Sequence, residues 1–273
     1  MENATIRFGV FISVLLLMAG MESLFAKKSR TQTRPQRWLT NLGLTSLNIV
    51  VLKLLGPISA VVVADYALDN NLGLLSILPL PLFMEIVMGI VLLDLAIYVQ
   101  HVCSHKIPLL WRFHKVHHAD RDIDVTTGIR FHPVEALLSM VYKCLVILLF
   151  GPITIAVVLF EIILNASAMF NHANLCLPKG VDAVLRLVLV TPDSHRVHHS
   201  EISSETDSNY GFFLSVWDRV FKTYTAQPSK GHDAMVIGLS EYQHEKPALF
   251  WWSLLLPFQK QPFQKQSDKT DRI

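Results

Sequence analysis

The chain has 273 residues, enough for one or two domains, with 51% hydrophobic and only 17% charged residues. That balance is greasy for a soluble protein of average composition, and a formal net charge of +2 gives no electrostatic case for nucleic acid. The cysteines, Cys103, Cys144 and Cys176, are scattered, which excludes a CxxC pair and a disulfide framework.

The apolar residues come in long blocks. Residues 8–26 form the first, close to the length a bilayer crossing needs. No small-residue cleavage site precedes the basic run that follows, so a retained membrane helix is expected rather than a signal peptide. That run, KKSRTQTRPQR at residues 27–37, holds five Lys or Arg and no acid, as cytoplasmic loops do. Residues 43–64 form a second block, with Lys53 and Pro57 inside. The next connection carries Asp65 and Asp69 and no base, which fits the opposite side. The third block, residues 72–100, is interrupted by Pro79 and Pro81 and returns to the cytoplasmic side.

There it delivers HVCSH, from His101 to His105. Residues four apart share a helical face, so these two imidazoles point together and Cys103 turns away as a packing residue. Asp94, on the same face and with Tyr98 between, is a candidate supporting acid. HKVHH follows from His114 to His118. Its first histidine shares a face with the fourth and fifth, so the triplet can converge on a small volume. Asp120, Asp122 and Asp124 then read as a solvated loop. His132 precedes Pro133 and is expected to cap the helix that starts there, or to support the site, rather than to ligate. Glu135 falls in that helix's first turn, where it favours the dipole.

Residues 134–170 are too long for one straight crossing, and Gly151-Pro152 lies near their middle, so two helices in a membrane hairpin are expected. The hairpin returns FNHAN, with His172, to the side of HVCSH, and Asn165 is placed either toward Asn171 and His172 or to hydrogen-bond within the hairpin. HRVHH, from His195 to His199, repeats the first triplet. Asp193 either holds an imidazole or caps the helix carrying that triplet. Asn209 in ETDSNYG is a further candidate. His232 and His244 read as surface residues; His244-Glu245 is not an HExxH motif, because Ala248 stands at its second histidine position. ALFWWSLLLPF, residues 248–258, is too short to span and suits either the headgroup zone or packing on a cap. The tail from Gln259 is expected to be disordered.

These elements describe an all-α integral membrane bundle of about four or five hydrophobic helices with a cytoplasmic helical cap carrying a histidine-rich di-metal site. Residues 1–90 supply the N-terminal membrane helices, 91–245 the histidine region with its hairpin at 134–170, and 246–273 an interfacial segment and tail. Eight clustered imidazoles plus His172 exceed the needs of one ion and suit two. Three chemistries stay open on the residues alone: a lipid-oxidising oxygenase, a metal-dependent membrane hydrolase and a metal transporter. A hydrolase wants an activating carboxylate within the motif, and none of the triplets contains one. A transporter wants ligands near the bilayer midplane, whereas these sit at helix ends and in charged loops.

The order HxxxH, HxxHH and a later HxxHH resembles the fatty acid hydroxylase and sterol desaturase superfamily. The likeness runs from about Asp94 to Tyr224 through DLAIYVQH, LLWRFHKVHHAD, RFHPVE, FNHAN, TPDSHRVHHS and ETDSNYGFFLSVWDRVFKTY. It implies His101, His105, His114, His117, His118, His172, His195, His198 and His199 as ligands of two iron ions. It also implies O2 as co-substrate and attack on an unactivated C–H bond of a long apolar lipid, by hydroxylation or desaturation. No haem, flavin or ferredoxin module is evident, so electrons come from a separate protein. The expected setting is a multi-pass protein of a bacterial inner membrane or the endoplasmic reticulum, with its site on the cytoplasmic side. Two departures stand out. Some members carry a second HxxxH before the last triplet, where this chain has Ala168. Members often show glycine where this chain has Lys222.

Overall fold

A computed structural model describes residues 2–54, 56 and 59–259. Among them the architecture is helical, with isolated bridges and no named strand. The long helices are α1 (Glu2–Leu24), α2 (Arg34–Leu54), α3 (Ala60–Asp69), α4 (Leu82–Lys106), α5 (Pro108–His118), α6 (Pro133–Phe150) and α7 (Thr154–His172). Shorter helices follow, including α8 (Lys179–Leu185) and α9 (Pro192–His198). Four of these, α1, α4, α6 and α7, are long and apolar enough to cross a membrane. The tail beyond residue 259 and Pro57 lie outside the described residues.

The second apolar block is not one helix. α2 ends at Leu54 and α3 restarts at Ala60. Gly56 lies between them at φ +101°, a backbone open to glycine, and Ser59 caps the new helix by accepting from Val62 N. Together α2 and α3 run from one end of the bundle to the other. At the far end the chain turns at Gly73 and packs on the hairpin tip, where Leu75 N donates to Phe150 O at 2.8 Å. A Cβ on Gly73 would lie 2.2 Å from Gly151 N, so no larger residue fits. Gly151 itself closes α6 in the left-handed region, at φ +61°. The hairpin thus turns where Gly151-Pro152 placed it.

The near end carries the site. α4 rises about 29 Å from Leu82 to His101 at about 1.5 Å per residue. That length matches a hydrocarbon core about 30 Å thick, with the histidines in the last two turns of the helix. A helical cap covers them, built from α5, the loop after it, α8, α9 and the segments to residue 248.

Buried charges hold this cap together, where a solvated loop is expected. Asp120, Asp122 and Asp124 are all buried. Arg37, from the basic run, is fully buried and grips Asp120 through Nε and NH2, both at 2.8 Å, and Asp124 through NH1 at 2.6 Å. Asp122 instead accepts the backbone N–H groups of Thr31 and Gln32. Glu22, at the end of α1, accepts from Val125 N and Asn174 N and pairs with Arg34. The expectation failed because a run of alternating acids is usually solvent-facing, whereas here a cation and backbone donors about 85 residues away in sequence satisfy it. Burial opposes ionisation of Asp120, and the paired Arg37 guanidinium overcomes it, holding the carboxyl at about 2.

Residues 248–258 do not stand off from the cap. A short helix, Phe250–Leu255, packs on α2, with the Phe250 ring against Gly43. Trp251 faces outward and Trp252 packs edge-on to Tyr242.

Candidate metal centre

All nine imidazoles of the motifs meet at the capped end. They divide into two groups, within each of which one ring nitrogen per residue lies within 4.8 Å of the others. His101, His105, His114, His118 and His198 form the first, and His117, His172, His195 and His199 the second. The groups adjoin: the stacked rings of His118 and His199 have centroids 4.6 Å apart.

The partition cuts through each triplet. His114 and His118, four apart on α5, face the first group, and His117 between them faces the second. In HRVHH the assignment is mirrored, with His195 and His199 in the second group and His198 in the first. Neighbouring residues on a helix are turned by about 100°, so one triplet can serve two adjacent points rather than converge on one. α9 is short and well started: Thr191 and Ser194 form a capping box, with Pro192 in the first turn.

The far nitrogens of several rings are held by the protein. His101 Nδ1 lies 2.7 Å from Tyr210 O, His198 Nδ1 2.7 Å from Ser208 O, and His172 Nδ1 2.6 Å from Ala168 O. Ala168, four residues before His172, thus meets the ring through its backbone carbonyl. His114 Nδ1 lies 2.6 Å from Glu135 Oε1. With Nδ1–H donated outward, Nε2 presents its lone pair inward.

That inner face identifies what the residues fit. The Nε2 atoms of all five first-group histidines are buried without any hydrogen-bond partner, a cost proteins avoid unless something binds there. In the second group His172 Nε2 lies 3.1 Å from His117 Nε2 and 3.0 Å from His195 Nε2. Two ligands at right angles around a metal with bonds of about 2.1 Å stand about 3.0 Å apart. Burial, reinforced by neighbouring imidazoles, pushes His117, His118, His195 and His199 well below the ordinary imidazole range. Burial likewise drives His198 down to about 3. These five rings are therefore neutral at physiological pH, the form that binds metals.

A pH dependence follows. The unfolded chain takes up protons below about 6.5, while folded His198 resists them until about 3. The metal-free protein therefore loses stability as pH falls through that window and is unaffected by these groups above it. Thermal midpoints of the chelated protein at stepped pH measure this; a midpoint that rose on acidification would contradict a cluster of buried neutral rings.

Two of the supporting candidates, Asp94 and Asp193, have other partners than their sequence positions suggested. Asp94 accepts from Trp217 Nε1 at 2.8 Å and from Leu214 N, so it ties α4 to the following cap segment rather than to an imidazole. Tyr98 shares a hydrogen bond with Thr223 and packs edge-on to Tyr210. Asp193 neither caps α9 nor touches a motif imidazole; it pairs with Arg196, and at 3.8 Å with Lys27 and His232. His232 is thus half-buried, while His244 is exposed. Asn209 braces the last triplet by donating to Ser194 O and Thr225 O. Asn165 donates to Glu161 O within its own helix. His132 stands outside both groups: its Nδ1 accepts from Val134 N as the N-cap of α6. Cys103 also stands outside them.

Three contacts have no spacing signal in the sequence. Glu135 holds His114. Tyr210, fully buried, lays its ring against His101, His105 and His198. Phe131 stacks on His117 at 4.9 Å. Only Glu135 offers a hint, as the third residue of a capped helix. Losing its charge while keeping its shape, Glu135→Gln, lowers metal affinity about 10–100-fold, read by competition with a chromophoric chelator; unchanged affinity would make the contact incidental.

Two cavities touch the first group from opposite sides. One, of about 250 Å³, lies among α2, α4, α6 and α7 and reaches His101 and His114. Its walls are mostly apolar, with Ile97, Phe131, Met140, Leu164 and Phe212 among them. The other, of about 220 Å³, opens through the cap to His105 and is lined by Lys115, Glu201, Asp207 and Glu241.

Fold and site together define an integral membrane helical protein with a paired histidine centre at one end of its bundle. Residues 86–223 match the fatty acid hydroxylase family, and the chain belongs to that family. It is 28% identical over 148 residues to the ornithine lipid hydroxylase OlsE of Rhizobium tropici, covering 54% of this chain and 44% of that protein. It is 30% identical over 138 residues to the alkylglycerol monooxygenase of Danio rerio and 29% to that of Homo sapiens, each time covering 50% of this chain and 30% of the relative. The chain thus spans less than half the length of these relatives. No solved structure matches it. Where family members often carry glycine, Lys222 adopts φ +60°. The left-handed region costs a side chain about 1–2 kcal/mol, partly offset by glycine's greater freedom when unfolded. Lys222→Gly should therefore raise stability by up to roughly 1 kcal/mol, seen as a higher thermal midpoint in detergent.

Proposed function

We propose that this protein is a lipid oxygenase: it inserts oxygen into, or removes hydrogen from, a hydrocarbon chain beside a histidine-held pair of iron ions. The observation that carries this reading is the apolar cavity ending on His101 and His114. An apolar chain laid in it brings C–H bonds, and nothing more reactive, to the centre. Imidazole ligands alone suit zinc as well as iron; an oxidation requires iron, because zinc has no redox chemistry. When bound, iron supplies the activation of O2 and the attack on the C–H bond. The protein's own part is to hold neutral rings in place through Glu135 and the carbonyls of Tyr210, Ser208 and Ala168, and to keep the cavity dry. The relatives named above act on lipids by their names, which supports the same substrate class here.

Electrons arrive from a separate protein on the capped side. The basic run 27–37 packs into that cap through Lys28, Thr31 and Arg37, and such runs stay in the cytoplasm. The centre therefore faces the cytoplasm.

The test is the purified protein in lipid nanodiscs, reconstituted anaerobically with ferrous iron and supplied with a chemical reductant and a total lipid extract. Oxygen uptake is expected, together with lipid alcohols carrying label from isotopically heavy O2 if oxygen is inserted, or new double bonds with the label released as water if hydrogen is removed. Label from heavy water instead, with zinc as the preferred metal, would make it a hydrolase and end the proposal.

A further inference from the structure

A third cavity, of about 300 Å³, lies beside the first between α4, α5 and α6. Cys103, Ile107, Leu110, Phe113, Leu138 and Tyr142 line it, nearly all apolar or aromatic. Its rim faces outward: Leu138, on α6, and Ile107, just past the end of α4, are each more than two-fifths exposed, and both helices are long and apolar enough to cross a membrane. A chamber with such walls and such an opening takes hydrocarbon.

The partition between this outer chamber and the inner, metal-facing cavity is thin. Four residues line both: Gln100, Ser104, Glu135 and Ser139. Gln100 and Ser104 are four apart on α4, and Glu135 and Ser139 four apart on α6, so two polar helical edges face each other. Ser104 turns its hydroxyl back to Gln100 O, and Glu135 is occupied with His114. One contact between side chains closes the gap, Ser139 Oγ donating to Gln100 Oε1 at 3.2 Å. Both serines are small, so a rotation of the Gln100 side chain leaves a passage rather than a packed wall. The polar cavity at His105 offers no comparable route, since Lys115, Glu201, Asp207 and Glu241 line it.

We infer that the outer chamber is a binding site for the hydrocarbon chain of a bilayer lipid, and that the chain reaches the metal-facing cavity sideways between α4 and α6, past a latch formed by Gln100 and Ser139. The two chambers then form one curved slot, with the lipid's polar end left outside. Only the oxidation of the chain's inner end rests on the oxygenase reading; chain binding does not.

The test uses a fatty acid carrying a mid-chain diazirine, photolysed with the metal-loaded protein in nanodiscs, and adducts mapped by mass spectrometry. Adducts are expected in both chambers, at Leu110, Leu138 or Tyr142 outside and at Met140 or Leu164 inside. Ser139→Phe fills the passage, so inner adducts fall roughly tenfold while outer adducts and metal content stay. Gln100→Ala removes the latch and raises inner adducts severalfold, which keeps the proposal testable if the bulky variant does not fold. No adducts in the outer chamber, or inner adducts indifferent to both variants, would overturn it. Labelling needs no turnover, so correct labelling without oxygen uptake refutes the oxygenase reading alone, and oxygen uptake with misplaced labelling refutes this one alone.

Discussion

His198→Ala loses both turnover and metal from the first histidine group, whereas His132→Ala keeps its metal and a reduced turnover. His198 lies at the middle of that group, its ring centroid 4.6 Å from His101 and 4.7 Å from both His105 and His118. Ser208 O fixes its outer nitrogen, so Nε2 points inward and nothing else can replace it. Alanine leaves a buried gap that only water can fill. The loss therefore exceeds the roughly 10–100-fold typical of a missing supporting hydrogen bond. His132 acts at a remove. It caps the helix whose first turn carries Glu135, and its ring packs on Phe113 and Phe258. Removing a cap costs about 1 kcal/mol of stability, and loosening Glu135 weakens His114 without vacating a ligand position. Metal content and product formation on both purified variants decide the matter. An emptied centre in His132→Ala beside a full, active one in His198→Ala would reverse the assignment.

Arg37→Ala should cost about 3–5 kcal/mol, enough to prevent accumulation of folded protein. The side chain is fully buried and its guanidinium is shared by Asp120 and Asp124, which have no other cation at salt-bridge distance among the described residues. Alanine leaves two carboxylates in a dry interior. The remedy is to remove the charges together: Arg37→Met with Asp120→Asn and Asp124→Asn should recover a large part of the loss. Denaturation midpoints of the single and triple variants in detergent measure this. A single variant as stable as the parent would mean that water reaches the pair.

Much of this was legible in the sequence, for a physical reason. Histidine spacing and apolar runs are local patterns, and helices convert local spacing into shared faces. The four membrane helices, the turn at Gly151 and the gathering of the motifs at one end follow from that. What depends on distant pairing was not legible. The split of each triplet depends on how α5 and α9 face each other across the centre. The fate of Asp120, Asp122 and Asp124 depended on Arg37 and on the backbone of Thr31 and Gln32, in a segment read only as a topological signal. Asp94 and Asp193 looked like partners of histidine because they stood near one in sequence. Tertiary packing gave Asp94 to Trp217 and Asp193 to Arg196. Glu135 became the partner of His114 from across a helix boundary.

The division into groups also fixes an order of assembly during synthesis. Four members of the first group lie between His101 and His118, and only His198 comes late. The second group draws on His117, His172, His195 and His199, so it has one member until the hairpin has been threaded. A ribosome-bound chain that has made α5 but not α7 already offers a nearly finished scavenging site for any abundant divalent ion, beside a partner site that does not yet exist. For the paired centre proposed above, correct loading requires that the early site either refuse other divalent ions or release them when His198 arrives.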